Sequence, residues 1–141
     1  MLLHPVIHLH LLDRNGRLYL QKRSLKKDIQ PGKWDTAVGG HVDYGEQIEE
    51  ALRREAREEL GITDFTPHEL FHYVWQSAVE REMVYAYCAL YDGIPTPDLD
   101  EVSEGRFWTL DELRAACGQG LFTPQFEQEL PRLLANSAIF P

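Results

Sequence analysis

The chain has 141 residues, enough for one compact domain spanning 1–141 and too few for two. Its formal net charge of -9 excludes long-range attraction to a nucleic acid polymer or to anionic lipid, so phosphate chemistry here needs a local cation. No apolar run approaches the roughly 20 residues needed to cross a bilayer, and the 43% hydrophobic content is enough for an ordinary core.

In chain order, Leu3 to Leu12 is an apolar run without a basic leader or cleavage site, and reads as a strand. Asn15-Gly16 separates it from a second strand, Arg17 to Arg23, and predicts a hairpin, because both residues tolerate the positive φ of a tight turn. Ser24 to Gly32 is a polar loop. Trp34 to Val42 reads as one short strand interrupted by glycines, where something approaches the backbone closely. Glu46 to Leu60, rich in Ala, Leu, Arg and Glu, is the strongest helix, with Gly61 as its cap. Glu69 to Gln76 and Glu82 to Tyr91 form a pair of strands, and Val102 to Trp108 one more. Thr109 to Glu112 is a capping box opening a helix through Ala116, and Thr123-Pro124 opens the last helix. Helices interspersed among strands predict a mixed sheet with helices packed on it. Cys88 and Cys117 form no C-x-x-C pair, which predicts free thiols in a reducing, cytoplasmic compartment.

The central helix carries the informative pattern. At about 100° per residue, Ile48, Ala51, Leu52, Ala56 and Leu60 share one face, with Glu50, Arg53 and Arg57 opposite. Glu55 and Glu59 fall inside the apolar arc and Glu58 at its edge. Like charges three and four residues apart repel, and burial makes this worse, so a cation should sit among them. A hard, oxygen-seeking ion such as magnesium suits such a site.

Gly40, Glu46, Arg54, Glu55, Glu58, Glu59 and Gly61 stand in the order G-x5-E-x7-R-E-U-x-E-E-x-G-U, with Ala56 and Ile62 at the apolar positions. This resembles the Nudix box. The resemblance implies an α/β fold, the Nudix α/β/α sandwich with a mixed β-sheet. It also implies a metal-dependent pyrophosphohydrolase that cleaves a diphosphate linkage in a nucleoside diphosphate derivative or a similar small organic diphosphate. It places metal-binding groups at Glu55, Glu58, Glu59 and Gly40, catalytic roles at Glu58 or Glu55, and an orienting role at Arg54. Glu46 supports the loop before the helix. The cofactor implied is Mg2+, with Mn2+ as the alternative. Dimers are common in the superfamily, so a homodimer is an expectation, as is a small-molecule diphosphate partner with no membrane.

The stretch from Lys22 through Pro31-Gly32-Lys33-Trp34 to Gly39-Gly40-His41 is similar to the branch containing isopentenyl-diphosphate isomerases. In that branch a catalytic cysteine occupies the position of Gly39. Its absence, together with the complete set of box glutamates, favours hydrolysis over isomerisation and over a non-catalytic binding module. By position, His41 and His4 match metal-ligand histidines of the isomerases, and Glu80 and Glu82 their paired glutamates, although a solvated turn is the plainer reading of Glu80-Arg81-Glu82. Arg23 and Lys27 match diphosphate-contacting positions, and His41 joins them as a substrate-binding candidate. Glu101 lies where several Nudix enzymes keep a further glutamate. Tyr73, Trp75 and Trp108 are candidate stacking groups, although aromatic residues on strands are more often core.

Overall fold

The computed structural model describes residues 2–136 and 139. In chain order the elements are β1 (Leu3–Leu12), β2 (Leu18–Arg23), β3 (Trp34–Thr36), β4 (Val38–His41), α1 (Ile48–Leu60), β5 (His68–Gln76), β6 (Arg81–Leu90), β7 (Val102–Trp108), α2 (Leu110–Ala116) and α3 (Pro124–Leu134). The sheet runs β3-β2-β1-β6-β5, with β4 added to β1 and β7 to β2. β1 and β6 are parallel, from Leu3↔Arg81 to Leu12↔Leu90, and the other pairings are antiparallel.

Strand alternation sends successive residues of β1 to opposite layers. Ile7, Leu9 and Leu11 pack with Ala51, Leu52, Ala56 and Leu60 of α1. Leu12, with Leu18 and Leu20 of β2, packs with Leu113 of α2 and with Phe126, Leu130 and Leu133 of α3. Helices therefore cover both faces of a mixed sheet, the α/β/α sandwich expected. The boundaries of α1 have local causes. The Glu50 carboxylate accepts the Gln47 amide at 3.3 Å, and Gly61, at φ 67°, stops the helix in a left-handed conformation that costs a glycine nothing. The helix begins at Ile48 and not at Glu46, because the Glu46 carboxylate closes the preceding turn by accepting the Asp43 amide at 2.9 Å.

Two predicted features take a different form. The Asn15-Gly16 turn forms, with Gly16 at φ 75°, but β1 and β2 stay paired only at Leu12↔Leu18. They then separate, because β1 takes β4 as its neighbour over Val6 to Leu9 while β2 pairs with β3 and β7. Likewise Trp34 to Val42 is two short strands. Trp34–Thr36 lies on β2 and Val38–His41 lies on β1, with the fully buried Ala37 stepping between them. The sheet is thereby split on one side of its midline.

The face of β1 that meets α3 carries two histidines. His8 Nδ1 bonds Glu129 Oε1 at 2.9 Å, and His10 Nε2 bonds Glu129 Oε2 at 2.5 Å. The Tyr73 hydroxyl donates to the same carboxylate at 2.5 Å. Burial alone would push the Glu129 carboxyl up, but the two imidazoles override it and hold the group well below the usual carboxylate range. Cys88 and Cys117 are free thiols, and no helix among the described residues is long and apolar enough to cross a membrane. Glu129→Ala would leave two imidazoles and a phenol without their common acceptor. It is expected to cost roughly 3–5 kcal/mol in denaturant unfolding, the range for breaking a buried ion pair by removing one partner. A loss under about 1 kcal/mol would mean that the cluster contributes no net stability.

Candidate active site

The site is assembled where β1 and β2 part. Gly39, Gly40 and His41 of β4 pass along one wall, and α1 presents Glu55 and Glu59 from the same side as its apolar face. The Glu55 side chain is 16% exposed and that of Glu58 is 54% exposed, so the arc deduced from the helical wheel holds. Glu55 lies directly against the backbone of Gly40. A Cβ built there would sit 2.3 Å from Glu55 Cδ and 2.6 Å from each of its oxygens. Glycine at that position leaves room for the carboxylate, and no positive φ is involved.

Arg54 organises the acids. Its Nε and one terminal nitrogen grip Glu46 at 2.8 and 3.0 Å, the other terminal nitrogen reaches Glu55 at 2.9 Å and Glu58 at 3.3 Å, and the His41 carbonyl accepts at 3.0 Å. Glu46 is held at about 2, by the Arg54 hydrogen bonds first and the Asp43 amide second. Both Glu46 oxygens are thereby occupied, and its role in this arrangement is to anchor Arg54 and the loop.

Glu59 is different. Its pKa is raised to about 9, by burial first and then by the hydrogen bond and charge of Glu55, while a bond from the Gly39 backbone opposes the shift. Its Oε2 is buried without a partner in the protein. Glu59 thus lies buried against a second carboxyl, with an acceptor atom left over. That donor set fits a divalent cation, which would use the orphaned oxygen. Among the described residues, the three donors that lie within 4.8 Å of one another are instead those of His8, His10 and Glu129; the glutamates of α1 do not form such a group. Those contacts of 2.9 and 2.5 Å are hydrogen bonds, because two ligands each about 2.1 Å from a tetrahedral ion lie more than 3 Å apart.

Two adjoining hollows share Gln21, Arg23, Gly39, Glu59 and Val102 in their walls. The outer one, about 400 Å3, adds Lys27, Glu55, Glu58 and Glu101. Lys27 and Glu101 bond each other across its mouth at 2.5 Å, so the predicted clamp and the predicted extra glutamate are partners. The inner one, about 240 Å3, reaches through the split sheet to His8, Glu82 and Gln125. Glu82 is only 8% exposed and accepts from Gln125 at 3.3 Å, so the solvated-turn reading fails for it, while Glu80 beside it is exposed. His4 pairs in register with Glu82 and stands edge-on to His41, ring centroids 6.3 Å apart, which gathers these isomerase-like positions at one end of β1. Tyr73, Trp75 and Trp108 line neither hollow and belong to core clusters. Sequence reasoning missed His8, Gln21, Asp35, Thr36, Gln125 and Glu129. The signal for His8 and Glu129 was present: a polar residue inside the apolar stripe of a strand and of a helix.

Residues 2–126 match the NUDIX domain family. The chain belongs to the Nudix hydrolase family. This Nudix hydrolase is 36% identical to a protein of Leifsonia xyli named isopentenyl-diphosphate Delta-isomerase, over 99% of this chain and 80% of that one. It is 34% identical to the uncharacterized Nudix hydrolase YfcD of Salmonella typhi, over 96% and 72%. The crystal structure of DR0079 from Deinococcus radiodurans superposes with a TM-score of 0.79 at 28% identity, covering 92% of this Nudix hydrolase and 82% of that chain.

Gly40→Ala is expected to fold, since a flexible carboxylate can swing away, but to displace Glu55 and lower activity at limiting magnesium by tenfold or more, on the order of one lost charged contact. Activity unchanged across a magnesium titration would show that the close approach is incidental. A second expectation concerns pH. Without metal, folded Glu59 holds its proton to about 9, against 4.5 for the unperturbed group. Between those values the native state binds more protons than the unfolded chain, so this group's contribution to stability declines as pH rises. The metal-free Tm should therefore fall between pH 5 and 9 more steeply than that of Glu59→Gln, and magnesium should remove the difference. Parallel Tm–pH curves for the two proteins would contradict this account.

Proposed function

We propose that this Nudix hydrolase cleaves the P–O–P bridge of a small organic diphosphate in the cytoplasm, using magnesium or manganese held by Glu55, Glu58 and Glu59. The observation that carries the reading is the Glu55 carboxylate seated on Gly40 beside a buried Glu59 with an orphaned oxygen. When bound there, a divalent cation supplies charge neutralisation at the phosphoryl oxygens and a more acidic water.

The protein's own groups do the rest. Arg54 fixes the rotamers of Glu55 and Glu46 and leaves Glu58 tethered by its longest contact, 3.3 Å, with most of its carboxylate open to the outer hollow. Glu58 is accordingly the group that accepts the proton of the attacking water. The water oxygen bonds to phosphorus, the bridging P–O bond breaks, and its electron pair leaves with the departing phosphate. Arg23 and Lys27 line the same hollow and clamp the phosphates, an incoming phosphate taking the place of Glu101 on Lys27.

A second reading, an isomerase, is favoured by the name of the 36% identical relative and by the gathering of His4, His41 and Glu82. Against it stands Gly39, which has no thiol. A Cβ there would meet nothing closer than 3.5 Å, so the glycine is a chemical difference and not a steric necessity. Incubation with isopentenyl diphosphate and magnesium separates the readings, since formation of the allylic isomer without phosphate release would reverse the choice. With a diphosphate panel, Glu58→Gln should lower kcat by about 10²–10⁴, the usual worth of a general base, and Glu59→Gln should abolish turnover with the fold intact. Full activity of Glu59→Gln in saturating metal would overturn the assignment.

A further inference from the structure

The two cations at the outer hollow stand in different states. Both leave the same end of the β2–β7 ladder, where a bulge between Lys22 and Arg23 interrupts the pairing and Arg23 lies opposite Val102. Beyond it the chain forms two loops, one following β2 and one preceding β7. Arg23 gives its Nε–H to the Ile29 carbonyl at 3.0 Å and makes no ion pair among the described residues. Lys27 is already taken, with its Nζ 2.5 Å from Glu101 Oε2. The ion pair joins two anchored loops. On the Lys27 side, the Lys27 amide donates to the Ser24 carbonyl and the Gly32 amide to that of Arg23, each at 3.1 Å. On the Glu101 side, the Thr96 amide donates to the Leu60 carbonyl at 2.9 Å and the Asp98 amide to that of Glu59 at 3.2 Å, where the end of α1 leaves carbonyls without intrahelical partners. The amides of Glu101 and Val102 then both donate to the Asp98 carbonyl at 3.0 Å. The backbone at Glu101 is therefore tied to the helix that carries Glu55, Glu58 and Glu59.

The Glu101 carboxylate stands where an anion would be held. Lys27 first, and the charge of Arg23 with it, keep the Glu101 carboxyl below the usual carboxylate range, so both cations act on one group. A phosphate oxygen asks for the same things as that carboxylate, a charged N–H donor at hydrogen-bond distance and an open side toward water. The lowered basicity also makes Glu101 a poor acceptor for the proton of an attacking water, which counts against a catalytic duty for it. Exchange is easy, because the Lys27 and Glu101 side chains are 37% and 62% exposed. A solvated ion pair is weak, and a released carboxylate regains its water.

We propose that Glu101 is a built-in competitor for phosphate on Lys27: it occupies the clamp in the resting enzyme, gives way to the substrate phosphate, and returns to Lys27 as the phosphate product leaves. No bond is made or broken in this exchange, since one ion pair replaces another. This rests on the diphosphate-hydrolase reading and deepens it, assigning to one exposed glutamate the balance between substrate capture and product release.

The test uses the full chain with magnesium and calorimetry on two probes that are not turned over, inorganic phosphate and methylenebisphosphonate. Glu101→Gln should bind both about 2–5-fold more tightly than wild type, the worth of an exposed ion pair. Lys27→Met should weaken both roughly 3–30-fold, a charged hydrogen bond less the pair it displaces. The double variant Lys27→Met/Glu101→Gln should match Lys27→Met alone, because a competitor has nothing to compete for once the ammonium is gone. In turnover of a diphosphate substrate, Glu101→Gln should lower KM and the inhibition constant of phosphate by the same factor, with kcat changed less than about threefold. A loss of about 10²-fold or more in kcat would make Glu101 a catalytic base and overturn the proposal. Unchanged or weaker probe binding in Glu101→Gln would overturn it as well. Tightening that persists in the Lys27→Met background would replace it with general charge repulsion. Should no diphosphate be hydrolysed at all, the hydrolase reading fails by itself, and calorimetry still decides: the double-variant pattern supports the competitor, while no binding of either probe to wild type sinks it.

Discussion

Two carboxylates placed side by side on the apolar face of a helix repel each other and lose hydration, and the architecture around α1 follows from managing that conflict. Glu55 escapes into the space above Gly40, where any side chain would block it. Glu59, deeper and flanked by Glu55, has its pKa pushed up to about 9 instead. A fold that stores two acids in this way is poised for a cation, since the ion removes the repulsion and the desolvation together.

Arg54 sets the limits of that conflict. One guanidinium hydrogen-bonds three carboxylates and a backbone carbonyl, with Asp43 paired at 3.4 Å, and it holds each to a different degree. Glu46, gripped through both oxygens, becomes structural. Glu55 is oriented by Arg54 through one oxygen and lies against Glu59. Glu58, more than half exposed, is held only by the longest of these contacts, 3.3 Å. A lysine in the same place could not serve three carboxylates at these angles, because its ammonium is a point donor without a planar fork.

Most of the fold was legible because strong local chemistry marked it. Thr109 and Thr123 cap the helices where the capping residues stood in the sequence, and Gly61 ends α1 as a left-handed cap. The inward phase of Glu55 and Glu59 was readable from a helical wheel. The separation of β1 from β2 was not. A hairpin turn announces two neighbouring strands, but only tertiary competition decides how far they zip. Here β4 takes the edge of β1 from Val6 to Leu9 and leaves a cleft. Every site residue that sequence reasoning missed lies at or behind that cleft. Gln21, Thr36 and Asp35 looked like ordinary polar strand residues, because their neighbours across the gap were not yet known. Glu82 looked like a turn charge because only its position beside β1, opposite His4, buries it.

The Glu129 cluster repeats the logic of α1 with the opposite outcome. Glu129 also sits within an apolar stripe, between Phe126 and Leu130 and Leu133, and it too is a buried acid that needs a cation. Its partners are imidazoles supplied by the facing strand, at spacing that leaves room for a proton and none for a metal ion. One layer of the sandwich therefore leaves an acid oxygen without a partner in the protein, and the other layer satisfies its buried acid from within. His8 belongs to both arrangements, since one ring nitrogen is tied to Glu129 and the opposite edge meets the hollow that begins at Glu59. Through that ring, charge fixed in the α3 layer is presented to whatever group enters beside the glutamates of α1, although the two helices lie on opposite faces of the sheet.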